Sequence, residues 1–105
     1  MLPLFYNDSI DICLRLVDTV LSTGIKTIEF TNRGPNAKSN FQSLIQHLGS
    51  NSDVELGVGS IKNKQEAKDF IRAGAKFIVS PFLEKNIGNF CSKNQIPWIP
   101  GCGTL

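Results

Sequence analysis

Residues 28–34 read IEFTNRG, and this stretch decides how the rest of the chain is interpreted. It ends an apolar run of strand length and precedes Pro35, which suits the first turn of a helix. Along a strand, alternate side chains share a face, so Glu29, Thr31 and Arg33 would point the same way if the strand extends that far. The stretch therefore predicts an acid and a base at the end of a buried strand.

Two interpretations of Glu29 and Arg33 are open at this stage. An isolated charge is costly to bury or shifts its pKa, so the two residues could form a structural ion pair at the strand end. The same pair could instead form part of a functional site. The order of the surrounding elements favours the functional interpretation.

Apolar runs and helical stripes alternate along the chain. Short apolar runs predict strands at residues 2–6, 25–30, 54–58, 75–79 and 96–100. Between them, capping residues and apolar stripes predict helices from Ser9 to Gly24, Pro35 to Gly49, Asn63 to Gly74 and Leu83 to Lys93.

This βαβαβαβαβ order predicts an α/β fold with a parallel sheet and crossover helices. The segments around Gly24 and Gly74 resemble each other and lie two βα units apart. Short regular units suit a (β/α)₈ barrel, of which about four and a half units would form a partial barrel. An open doubly wound sheet is the structural alternative. In a half-barrel, we expect Val, Ile and Phe residues on the barrel-interior face to be exposed.

Size and composition exclude several classes of protein. We expect residues 1–105 to form a single domain, with 41% hydrophobic and 19% charged residues. The net charge of +2 includes no basic run, so no nucleic-acid partner is expected, and no apolar run is long enough to cross a membrane. Three unpaired cysteines favour reduced thiols in a cytoplasmic protein.

The candidate site follows from the strand ends, because parallel βα folds bind ligands at the carboxyl ends of their strands. The residues at those ends are Glu29, Arg33, Gly59, Ser60, Ser80, Pro81 and Thr104. An arginine can hold a carboxylate or phosphate, and a buried carboxylate can transfer protons. A small anionic substrate is therefore expected.

Other motifs carry less information. Lys62 stands where a dinucleotide-binding fingerprint needs its third glycine. His47 is expected at the surface of a helix, and Cys102 has no histidine to activate it.

Four segments, residues 29–33, 57–61, 73–81 and 96–101, together resemble the first half of the 2-keto-3-deoxy-6-phosphogluconate/4-hydroxy-2-oxoglutarate aldolases. The resemblance implies a (β/α)₈ barrel, a homotrimer of full-length chains and a class I aldolase. Such an enzyme cleaves either 2-keto acid to pyruvate and an aldehyde through a lysine Schiff base, without a metal or cofactor.

The resemblance also implies roles for individual residues. Glu29 aligns with the general acid/base and Arg33 with the arginine that holds the pyruvyl carboxylate. Ser60 stands in place of a carboxylate-binding threonine, and Pro81 aligns with the pocket wall.

The chain also departs from the family pattern. The Schiff-base lysine belongs to the sixth strand of the family's barrel, and the phosphate-binding loops follow the last two strands, so both fall after Leu105. Phe82 stands where the family has glycine. We therefore expect a partial barrel domain that lacks its C-terminal half and is inactive alone. The alternatives are a non-catalytic half-barrel or flavodoxin-like module that binds a small anion or assembles with another chain, and a different phosphate-handling barrel enzyme.

Overall fold

A computed structural model describes residues 4–49, 53–80 and 85–100. Within these ranges, strands and helices alternate in the predicted order. The strands are β1 (Leu4–Phe5), β2 (Thr27–Thr31), β3 (Glu55–Gly59), β4 (Ile78–Ser80) and β5 (Trp98–Pro100). The helices are α1 (Ile10–Ser22), α2 (Ala37–Leu48), α3 (Lys64–Ala73) and α4 (Lys85–Lys93).

All neighbouring strands are parallel, and their order in the sheet is β1-β2-β3-β4-β5. Each helix packs beside the next one along the chain, which places the four helices in one layer. A doubly wound sheet reverses its strand order and carries helices on both faces, so that alternative is wrong. Sequential strands with one helix layer are the arrangement of half a βα barrel.

Caps predicted from the sequence define two of the helices. The Ser9 side chain accepts a hydrogen bond from Ile12 N at the start of α1, and Asn63 accepts one from Glu66 N at the start of α3. Gly74 ends α3 in a left-handed conformation that glycine adopts at low cost. Each side-chain cap contributes about 1 kcal/mol by satisfying a free backbone N–H.

The hydrophobic core lies between the sheet and the helix layer. Phe30 on β2 contacts Phe41 on α2, and Phe41 contacts Phe70 on α3, with ring centroids 6.0 and 5.3 Å apart. The other strand residues fully buried on this side are Ile28, Leu56, Val58 and Ile78. Burying each of these large side chains contributes about 1.5–3 kcal/mol.

The opposite face of the sheet corrects one prediction on β2 and β3 and confirms it on β5. We expected this face to expose Val, Ile and Phe residues. On β2 and β3 these residues instead point toward the helices, whereas Ile99 on β5, the register partner of Val79, lies on the opposite face and is 47% exposed. That face carries Glu29 on β2 and two glycines, Gly57 and Gly59, on β3. The Phe77 ring lies directly over Gly57, which keeps most of the ring out of water.

Strand starts were predicted too early. The run from Ile25 begins two residues before β2, and Ala75 precedes β4 because its N–H bonds to the Phe70 carbonyl at 3.0 Å as α3 ends. Ile96 N–H likewise bonds to Cys91 O at 2.9 Å at the end of α4. Pro35 precedes α2 rather than beginning it, since Asn36 is the N-cap residue.

Large hydrophobic residues are exposed at the two ends of the layers. Leu4 on β1 and Ile99 on β5 are 62% and 47% exposed, and Ile12 and Leu16 on α1 are also exposed. Across the described ranges, no helix combines the length and apolarity needed to cross a membrane.

Candidate active site

Glu29 lies in the middle of β2 on the sheet face away from the helices. Its carboxylate rests against the backbone of Gly59, because a Cβ on that glycine would lie only 1.7 Å from Glu29 Oε2. The residue is 8% exposed, and burial raises the pKa of its carboxyl group. Within the described residues it forms neither an ion pair nor a side-chain hydrogen bond. The site therefore contains a buried carboxyl group without a charged partner.

This burial makes the stability of the fold depend on pH. A carboxyl group whose folded pKa is raised binds its proton more tightly in the folded state, so stability falls as the pH rises from the ordinary Glu value through the folded pKa. We expect Glu29→Gln to increase the free energy of unfolding at about pH 7, with the increase disappearing near pH 4. Urea unfolding over this pH range measures the effect, and Glu55→Gln, an exposed acid on β3, controls for the lost charge. A difference that does not vary with pH would contradict the prediction.

Arg33 lies beyond the strand that was expected to carry it. β2 ends at Thr31, Asn32 N bonds to Gly59 O at 2.8 Å, and Arg33 N bonds back to Thr31 O at 2.9 Å in a tight turn. The guanidinium is exposed and, among the described residues, has no acidic partner. The structural ion pair with Glu29 is therefore not formed, and the strand does not extend to Arg33, which was the condition for alternation to place Arg33 on the face of Glu29.

Ser60 follows β3 directly and has an uncommon backbone conformation. Its φ of 59° lies in the left-handed region, which is costly for a residue with a side chain. Ile61 N–H donates to Val79 O at 3.3 Å, so the chain after Ser60 is held against the end of β4. Since Thr31 and Gly59 are register partners, Ser60 emerges beside the end of β2.

Polar side chains at the ends of β1 and β4 are already hydrogen-bonded. Ser80 is buried and accepts a hydrogen bond from Trp98 Nε1 at 3.0 Å, a contact that spacing did not predict. Directly after β1, Tyr6 Oη donates to Asp8 Oδ1, and this bond, together with partial burial and the nearby negative charge, raises the pKa of Tyr6 to about 12. Thr31 Oγ1 is buried and has no hydrogen-bond partner in the described part of the chain.

The remaining predicted positions can be placed briefly. Pro81, Phe82, Cys102 and Thr104 lie outside the described residues. His47 is exposed as expected and bonds to Asp18 at 2.9 Å. Cys13 and Cys91 are buried free thiols. No group of three or more His, Cys, Asp or Glu residues that could hold a metal ion occurs in ranges 4–49, 53–80 and 85–100.

A sequential parallel sheet under one helix layer, with polar groups gathered at the carboxyl ends of its strands, is the architecture of the βα-barrel proteins. The chain belongs to the aldolase family described as KDPG and KHG aldolase, which matches residues 1–105.

Relatives and solved structures agree with this assignment. The chain is 24% identical over 105 residues to the 2-dehydro-3-deoxy-phosphogluconate aldolase of Dickeya dadantii, and 27% identical over 101 residues to that of Treponema pallidum. These alignments cover 100% and 96% of this chain but 48% and 47% of the relatives. The crystal structure of Legionella pneumophila KDPG aldolase, with pyruvate captured as a covalent carbinolamine, superposes with a TM-score of 0.87 at 26% identity. That superposition covers 98% of this chain and 48% of the other. The chain thus spans about half the length of these relatives and corresponds to part of a TIM barrel.

Proposed function

We propose that this chain forms one partial (β/α)₈ barrel domain carrying part of the active site of a 2-keto acid aldolase. The reaction is cleavage of 2-keto-3-deoxy-6-phosphogluconate, 4-hydroxy-2-oxoglutarate or both to pyruvate and an aldehyde. The single observation that supports this most is the buried Glu29 carboxyl group, which lies against Gly59 and has no ion-pair partner among the described residues. Ser60 directly follows Gly59 on the neighbouring strand. The two relatives described above are both named aldolases, and their alignments cover 100% and 96% of this chain.

Each residue has a distinct part in this proposal. The exposed Arg33 guanidinium holds the substrate carboxylate with paired hydrogen bonds, and the Ser60 hydroxyl supports that contact. Pro81 is assigned to the pocket wall by the family resemblance alone. Glu29 transfers protons, since its raised pKa lets it alternate between acid and carboxylate nearer neutral pH.

The covalent step requires an amine. In class I chemistry, a lysine amine condenses with the substrate ketone and releases water. Glu29 then accepts the C4 hydroxyl proton as the C3–C4 bond breaks, and the bonding electrons pass into the iminium ion.

None of the three lysines that flank the strands in the described ranges is well placed for this role. Lys26 and Lys76 precede β2 and β4, at the opposite edge of the sheet, and Lys26 pairs with Asp53 at 3.2 Å. Lys62 is nearer the carboxyl ends, but it is exposed beyond Ser60. We therefore propose that the 105-residue chain is inactive alone, and that full-length family members act in the cytoplasm as homotrimers without a cofactor.

Reductive trapping tests the missing amine. With pyruvate and sodium borohydride, we expect the intact mass of the chain to remain unchanged and no aldol substrate to release pyruvate. The Escherichia coli KHG/KDPG aldolase, assayed in parallel, is the positive control for both measurements. A reduced pyruvyl adduct on a lysine, abolished for example by Lys62→Arg, would show that the chain carries its own nucleophile.

A non-catalytic half-barrel that assembles with another chain is the second candidate. It is favoured by the exposed apolar residues at both ends of the layers, Leu4 and Ile99 above all. Sedimentation velocity over a range of concentrations tests it. Concentration-dependent association supports this candidate, whereas a monomer at every concentration contradicts self-assembly.

A further inference from the structure

We propose that Tyr6 and Asp8, at the end of β1, are positioning residues that hold the turn presenting Arg33. The proposed role of that turn in carboxylate binding rests on the function proposed above. The pairing of the two residues with the turn stands on geometry alone. Neither residue belongs to the segments that carry the family resemblance.

The pair lies directly against the backbone of the residue after Arg33. A Cβ placed on Gly34 would be 2.9 Å from Tyr6 Oη and 3.4 Å from Asp8 Oδ1. Gly34 has a φ of +87°, a conformation that side-chain-bearing residues rarely adopt. Glycine is thus required here both by its backbone conformation and by the close approach of the Tyr6 hydroxyl.

The loop that carries this pair is itself fixed. Asn40 on α2 is buried and donates from Nδ2 to the carbonyl oxygens of Asn7 and Asp8, at 3.1 and 3.0 Å. Cys13 Sγ also donates to Asn7 O, at 3.2 Å. The loop after β1 is therefore anchored to both α1 and α2.

Beyond the bond from Asn32 N to Gly59 O, the turn has little backbone support of its own within the described ranges. Arg33 N bonds to Thr31 O, and the bond from Ala37 N to Gly34 O is long, at 3.4 Å. Packing by Tyr6 and Asp8 restricts this turn, so less conformational entropy is lost when a ligand binds Arg33. The pair contributes to binding through Arg33 without touching the ligand.

Two readouts test the proposal in the 105-residue chain. The first is the rate at which trypsin cleaves the Arg33–Gly34 bond, followed by mass spectrometry, with cleavage after Arg72 in α3 as the internal measure of global unfolding. The second is the affinity for pyruvate by calorimetry. Loss of one hydrogen bond predicts that Tyr6→Phe and Asp8→Ala accelerate cleavage and weaken pyruvate binding by about 2- to 10-fold. Asp8→Asn keeps an acceptor for Tyr6, so its rate of cleavage after Arg33 and its affinity for pyruvate should be close to those of the wild-type chain.

A double substitution separates packing from loss of the hydrogen bond. Gly34→Ala places a methyl group against Tyr6 Oη, so Gly34→Ala combined with Tyr6→Phe should recover part of the loss caused by Gly34→Ala alone. Unchanged cleavage in Tyr6→Phe, or equal acceleration after Arg33 and Arg72, would overturn the proposal. If wild-type chain binds no pyruvate while cleavage responds as described, the carboxylate role of Arg33 fails and the positioning of the turn stands.

Discussion

Replacing Gly57 with alanine is expected to lower the free energy of unfolding by about 3 kcal/mol, at the upper end of the usual cost of overpacking. A Cβ at this position would lie 2.3–2.4 Å from three atoms of the Phe77 ring. The ring is only 6% exposed, and Gly57 is held in register opposite Glu29 in the centre of the sheet. Neither the ring nor the strand can shift without losing packing, so the strain remains in the folded state. Chemical denaturation of the two proteins measures the difference.

A second substitution in the same contact provides the control. Phe77→Leu removes the ring atoms that the new methyl group would meet, so the double variant should lose less stability than the sum of the two single changes. Strictly additive losses would show that Gly57 is not required by the Phe77 ring.

Arg33→Ala is expected to weaken binding of pyruvate by about 10- to 150-fold. Hydrogen bonds to a charged group contribute about 1.5–3 kcal/mol, and each 1.4 kcal/mol is a tenfold change in affinity. Arg33 has no acidic partner among the described residues, so its guanidinium is available to an incoming carboxylate. Calorimetric titration of the folded chain with pyruvate measures the change.

Two variants make this test specific. Arg33→Lys keeps the charge but loses the planar fork, so an intermediate affinity is expected. Lys38→Ala removes another exposed cation, which lies 4.0 Å from Asp69, and should leave the affinity unchanged. Equal effects of Arg33→Ala and Lys38→Ala would mean that net charge, rather than a carboxylate contact, governs binding.

The fold was predictable because its signals are local. Apolar periodicity and caps such as Ser9 and Asn63 fixed the order of the elements, and that order is confirmed. Strand starts were less predictable, because Ala75 and Ile96 still bond to the carbonyl groups of the preceding helices. An apolar residue in such a connection has the same sequence pattern as one in a strand.

The site was predictable only in part. Alternation predicted that Glu29 and Thr31 share a face, but the turn after Thr31 depends on the neighbouring strand, because Asn32 bonds to Gly59. The anchoring of Asp8 by Asn40 joins residues 32 positions apart and has no local signal. A glycine directly after an arginine, as at Gly34, is the nearest hint that the sequence offers, and in the structure this glycine has a positive φ.

The central claim is that the carboxyl ends of β2 and β3 bind a 2-keto acid. Titration of ¹⁵N-labelled chain with pyruvate, followed by amide chemical shifts, tests it most directly. We expect saturable shifts at Thr31, Arg33, Gly59 and Ser60, and their loss in Arg33→Ala. Absence of saturable shifts, or saturable shifts confined to residues away from these strand ends, would contradict it.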